Sequence, residues 1–317
     1  MTSDDVFWLR VQRRAAIYEP DMARALLRAF ELLRQQLSTV EVEQMVANGD
    51  VDAVITRVLS DPQFEKAVTA FRQQTLKVAD RGVAYFARDI PAAFSAGQAL
   101  IGFNILSPTV VNAIRALDSK VMQTLKDDTR ETVRAFIENG LRDGVNPRTV
   151  GRQLRTVVGL APNQLEAIQN FERMLKAGDR EALTRALRDK RFDGTLKRAL
   201  GANGQGLTDE QIAKMVEAYR KRMVAFNSET LARTATLDSF KLGQQLAYQD
   251  AIDKGLIPPD RLTKTWRGVL DNRERPEHVA MEGETVPFRD LYSNGEMIPG
   301  DSTYNCRCLS RFHIAPA

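Results

Sequence analysis

Between Thr208 and Pro258 the chain carries one unbroken helical signal, and no other feature limits its fold as much. Thr208 and Gln211 make a capping-box pair at its start. Gly255 supplies a C-terminal cap, and Pro258-Pro259 a stop. Within it Ile212, Met215, Val216, Tyr219, Met223, Phe226, Leu231, Leu237, Phe240 and Leu246 occupy inward helical positions. Ala232-Arg233-Thr234-Ala235 and Gly243 interrupt these large residues with small ones, which let another backbone approach closely. The expectation is that the C-terminal segment docks on that face.

The chain ahead of this helix reads as helical too. Aromatic residues make up 7% of it, whereas Leu, Ala, Arg, Gln and Glu abound, a balance that favours helix over sheet. Residues 4–18 place Val6, Leu9, Val11, Ala15 and Ile17 among arginines. Met22, Leu26, Leu27, Phe30, Leu33 and Leu37 mark a helix from Pro20 to Leu37. Thr39 is read as the cap of a short helix ending near Asn48-Gly49-Asp50, and Asp61-Pro62 as the start of another. From Asp89 to Leu106 the pattern loosens. Phe94, Leu100, Ile101, Phe103, Ile105 and Leu106 lie among Pro, Gly and Ser, and either a buried connector or a partner contact fits them. Helical spacing resumes over Thr109–Asn139. Asn146 and Pro147 then cap a short helix, Asn163 caps a further one, and Gly178-Asp179 opens the next.

The 317 residues have room for two or three domains, here divided as 1–106, 107–255 and 256–317. A net charge of +4 permits contact with nucleic acid without demanding it. The densest basic run holds Arg185, Arg188, Lys190, Arg191, Lys197 and Arg198. It is either a solvated surface or a patch for phosphate or an acidic partner. The acidic start, Met1-Thr-Ser-Asp-Asp5, is unlike a secretory signal, and no apolar run is long enough for a membrane span.

After Pro259 the pattern changes. Lys264–Val269 alternates as a strand, Leu270–Arg275 is a turn, and Pro276 starts a short helix. Val286–Phe288 and Arg307–Ile314 supply further strands. The expected fold is therefore mainly α: an elongated helical body carrying a small α+β C-terminal module with a short antiparallel sheet. Such a module is too small to stand on its core alone. Asp271, His278, Cys306 and Cys308 are residue types that bind zinc, and four ligands complete a tetrahedral site. The single residue between the cysteines is fewer than structural zinc sites usually have. No cofactor is called for, zinc at this site excepted. The alternative is that Asp271 makes turn hydrogen bonds, His278 packs beside Trp266, and the thiols are simply buried. The same groups also suit a zinc- or thiol-dependent hydrolase, but no nucleophile elbow or Gly-rich oxyanion turn accompanies them.

The order Trp266, Asp271 with Arg273 and Arg275, His278, Gly283 with Val286, Pro299-Gly300, and Asn305-Cys306-Arg307-Cys308 resembles a known pattern. It is similar to the C-terminal module of phage head morphogenesis proteins of the Mu F type. Upstream, Ala232-Arg233-Thr234 with Gly243 and Ala247 looks like the family's preceding helix, and Leu141–Leu160 like its preceding helical region. The likeness is specific over roughly 230–312 and only general over the first hundred residues. Ala235 departs from it, since the family carries an acidic residue soon after Ala-Arg-Thr. The resemblance implies a minor head protein of the virion, without enzymatic activity. Its implied partners are the portal protein, the major capsid protein and packaged double-stranded DNA, with no membrane. It implies a place at the portal vertex of the capsid, in host cytoplasm during assembly, and a part in DNA ejection.

Overall fold

The computed structural model describes residues 3–37, 40–91, 108–201, 204, 206–303 and 305–316. Residues 92–107, with Phe94, Leu100, Ile101, Phe103, Ile105 and Leu106, lie outside that description, as does the Thr39 cap. Among the described residues are eleven α-helices and a three-stranded antiparallel sheet near the C-terminus, a mainly α fold as expected. The helices are α1 (Ser3–Ala16), α2 (Glu19–Leu37), α3 (Val40–Ala47), α4 (Val51–Leu59), α5 (Asp61–Phe86), α6 (Pro108–Arg142), α7 (Pro147–Gln153), α8 (Pro162–Ala177), α9 (Asp193–Ala199), α10 (Asp209–Asp253) and α11 (Pro276–Ala280). The strands are β1 (Leu262–Arg267), β2 (Thr285–Pro287) and β3 (Leu309–Ile314), in the order β2-β1-β3. No helix among the described residues is long and apolar enough to cross a membrane.

Several caps act as their residue types predict. Gln211 N–H donates to Thr208 Oγ1 at 3.2 Å, and Thr208 N–H to Gln211 Oε1 at 3.0 Å. At the other end of α10, Gly255 takes a φ of 70°, the left-handed value that a side chain would disfavour. Asn146 accepts from Arg148 N–H at 3.0 Å, with Pro147 in the first turn of α7. Two ends differ from expectation. Helix α8 begins at Pro162 rather than after Asn163, because Pro suits the first helical position and Gln164 reaches back to Ala161 N–H at 3.0 Å. Asp50 does not merely close a turn. It caps α4, a helix that the sequence pattern did not announce, by accepting from Ala53 N–H.

The chain gathers into two compact units, one of Met1–Ala25, Ala70–Val121 and Thr230–Ala317, the other of Leu26–Thr69 and Met122–Glu229. This grouping cuts across the consecutive regions 1–106, 107–255 and 256–317, because α2, α5, α6 and α10 each contribute residues to both units.

In the first unit, α5 and α10 meet backbone to backbone. A Cβ on Gly243 would lie 2.5 Å from Ala79 O and 2.7 Å from Gly82 Cα, distances that no side chain tolerates. The small residue at Gly243 therefore admits α5, not the C-terminal module. Rings close over this crossing: Phe86 and Tyr85 lie 5.2 and 5.3 Å from Phe240. The module meets α10 instead through Tyr248, whose ring packs edge-on against Phe312 at 4.6 Å, and through Lys241.

In the second unit, side chains from three helices hold the segment Val157–Leu160. Arg34 of α2 donates to Val158 O, Thr132 of α6 to Leu160 O, and Asn227 of α10 to Gly159 O at 3.0 Å. Gly159 has a φ of 89° and abuts the Phe30 ring, so both its conformation and its bareness are required. Helix α7 packs Gly151 against the backbone of Glu43 of α3.

Candidate functional site

The C-terminal module is assembled around β1, whose register is set from both sides. Thr263, Lys264 and Thr265 pair with Pro287, Val286 and Thr285, and Leu262–Arg267 pair with Ile314–Leu309. Trp266 is 0% exposed and forms a small core with Met281, Tyr292, Cys306 and Cys308. Tyr292 and His278 both stand edge-on to the indole, at 5.1 and 5.4 Å. Gly283, at a φ of 83°, turns the chain so that its N–H reaches Trp266 O at 3.0 Å, while Trp266 N–H reaches Glu284 O at 2.8 Å.

The turn after β1 carries Asp271, and its carboxylate is fully engaged. Arg307 donates through both terminal nitrogens, at 2.7 Å to Oδ2 and 2.6 Å to Oδ1, and Arg273 N–H donates to Oδ1 at 3.0 Å. The Arg307 guanidinium therefore holds the Asp271 carboxyl well below the ordinary carboxylate range. Glu274, in the same turn, accepts from Leu270 N–H and receives the Cys308 thiol at 2.9 Å.

Pro276 starts α11, which buries His278 to 3% exposure. Its Nδ1 lies 3.6 Å from Cys306 Sγ and 3.5 Å from Cys308 Sγ. Asn305, at a φ of 57°, bends the chain just before the cysteines, a conformation Asn tolerates better than most residues. Cys306 and Cys308 are 3% and 1% exposed. The Cys308 thiol hydrogen bond and the Lys241 ammonium lower the Cys306 pKa against the effect of burial. That same bond, burial and Glu274 raise Cys308. Of the four zinc-type residues, His278, Cys306 and Cys308 converge, with ligand atoms within 4.8 Å of one another. Asp271 stands outside this group, held by Arg307.

Sequence reasoning missed a buried charged layer beneath the module. Lys241, on α10, donates to Pro299 O at 2.7 Å, to Cys306 O at 3.4 Å and to Asp238 Oδ1 at 3.2 Å. Lys120, on α6, reaches Asp238 Oδ2 at 3.0 Å and Thr303 O at 3.2 Å, as well as Gly300 O. Burial works against the charge on Lys241, but Asp238 and the nearby cysteine sulfurs outweigh it and raise its pKa. Glu296, 2% exposed, accepts from Gly300 N–H at 2.8 Å and Ser302 N–H at 2.9 Å. Burial raises its pKa, yet these donors, with the Ser302 hydroxyl, bring it below the ordinary range. A cavity of about 310 Å³ lies against Leu117, Lys120, Asp238, Leu242 and Asp301, and neither thiol lines it.

The basic run is partly neutralised within itself. Arg188 binds both oxygens of Asp193 at 2.9 Å, and Arg191 binds Asp189, reaching Oδ2 at 2.7 Å. Asp189 also receives Arg222 at 3.2 Å, and the Arg191 hydrogen bonds hold its pKa down at about 2. Lys190, Lys197 and Arg198 are exposed, and Arg185 is half-buried. The chain here forms short turns and α9 rather than one helical face.

Comparison of the chain with protein-family models, with curated proteins and with solved structures returned no match.

Proposed function

We propose that this chain is a minor head protein of a tailed phage, an assembly component that binds the portal protein and not an enzyme. The observation that carries the reading is how the residues shared with the Mu F type module are engaged. Trp266 fills the module core, Asp271 and Arg307 clamp the first turn to the approach of β3, and Gly283 makes a left-handed turn. Residues engaged in this way define a fold and offer no reacting group to solvent. The hydrolase reading requires a thiol that a substrate can reach. At 3%, 1% and 3% exposure, Cys306, Cys308 and His278 meet substrate only if the module opens.

In this proposal the chain joins the head with the portal at the capsid vertex during assembly in the host cytoplasm, contacts the major capsid protein, and assists DNA ejection. Double-stranded DNA is a further partner through Lys190, Lys197 and Arg198, which are exposed. The deciding experiment is co-expression of the full chain with the portal protein of the same phage genome, followed by affinity capture and imaging. The expected result is capture of assembled portal. Normal portal assembly with the chain eluting alone refutes the proposal. For DNA, changing these residues to Ala should make the slope of log affinity against log salt shallower, by about 0.9 for each phosphate no longer neutralised. An unchanged slope removes the patch from the proposal.

A further inference from the structure

We infer that His278, Cys306 and Cys308 form a structural zinc site that ties α11 to the chain entering β3, with Glu274 held against the Cys308 sulfur at its edge. His278 Nδ1 faces two sulfurs at nearly equal range, 3.6 and 3.5 Å. The imidazole nitrogen presents one in-plane lone pair to both sulfurs. One cation on that axis bonds all three atoms. In a tetrahedral shell with Zn–S of about 2.3 Å and Zn–N of about 2.0–2.1 Å, the S···N edge comes to about 3.5 Å. Both measured separations sit at that edge.

The donor set selects the metal. Two sulfurs and an imidazole suit zinc and exclude magnesium and calcium, which take oxygen ligands. The near-complete burial of all three residues is that of a closed structural site, not an open catalytic one. Charge agrees as well. On binding, two S–H bonds are replaced by two Zn–S bonds, both protons pass to solvent, and nothing is oxidised. A zinc ion with two thiolates is neutral, so the buried Lys241 ammonium beside the Cys306 carbonyl meets no net positive charge. Glu274 Oε1, 2.9 Å from Cys308 Sγ, accepts that thiol's hydrogen and is a group beyond the ligands that can take the proton as Cys308 binds metal. Asp271 is unavailable, since Arg307 holds both its oxygens. Strands of six, three and six residues give the module little core of its own, and a cross-link between its helix and its last strand makes up part of that deficit.

The test uses the full chain, purified under reducing conditions, and does not depend on the phage reading. Zinc content is measured after dialysis against metal-free buffer, and cobalt(II) is then exchanged into the site. One zinc per chain is expected, together with a cobalt spectrum showing intense tetrahedral ligand-field bands and a thiolate-to-cobalt charge-transfer band. Because Cys306 and Cys308 are the only cysteines of the chain, that band can come from nowhere else. The wild-type spectrum therefore decides even where Cys306→Ser or Cys308→Ser fails to fold. Glu274→Gln should weaken zinc binding about 10–100-fold against a chromophoric chelator. A folded chain that binds neither zinc nor cobalt at micromolar concentrations overturns the inference. So does a Cys306–Cys308 disulfide as the resting form. Unchanged affinity in Glu274→Gln overturns the role of Glu274 in supporting the Cys308 ligand.

Discussion

Replacing Gly243 by Ala tests the packing of the first unit most directly, because two effects of opposite sign compete. Helix propensity favours the change: Gly in a helix interior costs about 1 kcal/mol relative to Ala. Packing opposes it. The new Cβ would lie 2.5 Å from Ala79 O, 2.7 Å from Gly82 Cα and 2.7 Å from Val83 N, all backbone atoms of α5 that cannot swing aside as a side chain tip can. Relief requires α5 and α10 to part by about 1 Å, and a gap of that size forfeits a quarter to a half of the dispersion energy of the atoms lining it. Overpacking a core costs about 1–3 kcal/mol where side chains can give way, and here the upper end applies before the loosening of Tyr85, Phe86 and Phe240 is added. The net expectation is a loss of about 2 kcal/mol. Trp8 and Trp266 both belong to this unit, so tryptophan fluorescence in a urea titration follows its unfolding specifically. With a slope of roughly 2 kcal/mol per molar urea, the midpoint should fall by about 1 M. An unchanged or raised midpoint means that the helices do not touch at Gly243, and refutes the backbone crossing of α5 and α10.

Three further outcomes follow from particular groups. Burial lowers the pKa of Lys264 from 10.5 to about 8. Between those values the unfolded chain binds the extra proton, so stability should rise with pH from about 8 to about 10.5, by no more than about 3 kcal/mol after screening. Lys264→Met should flatten that rise in urea midpoints taken across the range, and a persistent rise assigns it to other groups. In the second unit, Gly159→Ala should cost about 2–4 kcal/mol, summing about 1–2 kcal/mol for the left-handed conformation and the displacement of Phe30, whose Cδ2 would stand 2.7 Å from the new Cβ. Far-UV circular dichroism checks this as an earlier loss of helix, and a wild-type melt counts against it. Asp271, with its pKa depressed by Arg307, contributes stability above the ordinary carboxylate pKa that is lost as pH falls below it. Asp271→Asn should therefore flatten the acid limb of the stability curve, and Arg307→Ala should expose the thiols of metal-free protein to faster modification. Thiol modification at the wild-type rate would show that the clamp does not hold the module closed.

Much of the fold was legible because helix ends and strand alternation are local. Thr208 with Gln211, Asn146 with Pro147, and Gly255 each act on backbone groups within a few residues, so type and spacing suffice to place them. The alternation around Trp266 and Phe312 likewise located strands that pair in register. Illegible features are those whose partner lies far along the chain. Gly243 announced a close approach, but nothing local says that the approaching backbone is α5 at Gly82 rather than the C-terminal module. Asp271 illustrates a competition between partners of one kind. As a carboxylate among Cys and His it reads as a metal ligand, yet a guanidinium in bidentate reach binds it first, and which cation wins is a matter of distance, not of residue type.

The buried ammoniums set the limit more sharply still. Lys241 is 2% exposed within α10, and a lysine at such a position reads as a solvated face. An unpaired buried charge is costly, so the fold must bring it partners. One partner is a side chain, Asp238, three residues away and thus visible in principle as a helical pair. The others are the carbonyl oxygens of Pro299 and Cys306, and for Lys120 those of Gly300 and Thr303. Every residue carries a carbonyl, so no pattern of residue types marks the ones left free to receive a cation. In the loop from Met297 to Cys306 the carbonyls of Pro299, Gly300, Thr303 and Cys306 each receive one of the two ammoniums. Docking of the module on α10 and α6 and the burial of their charges are thus one event. Its physical requirement is that backbone acceptors and ammonium donors arrive together.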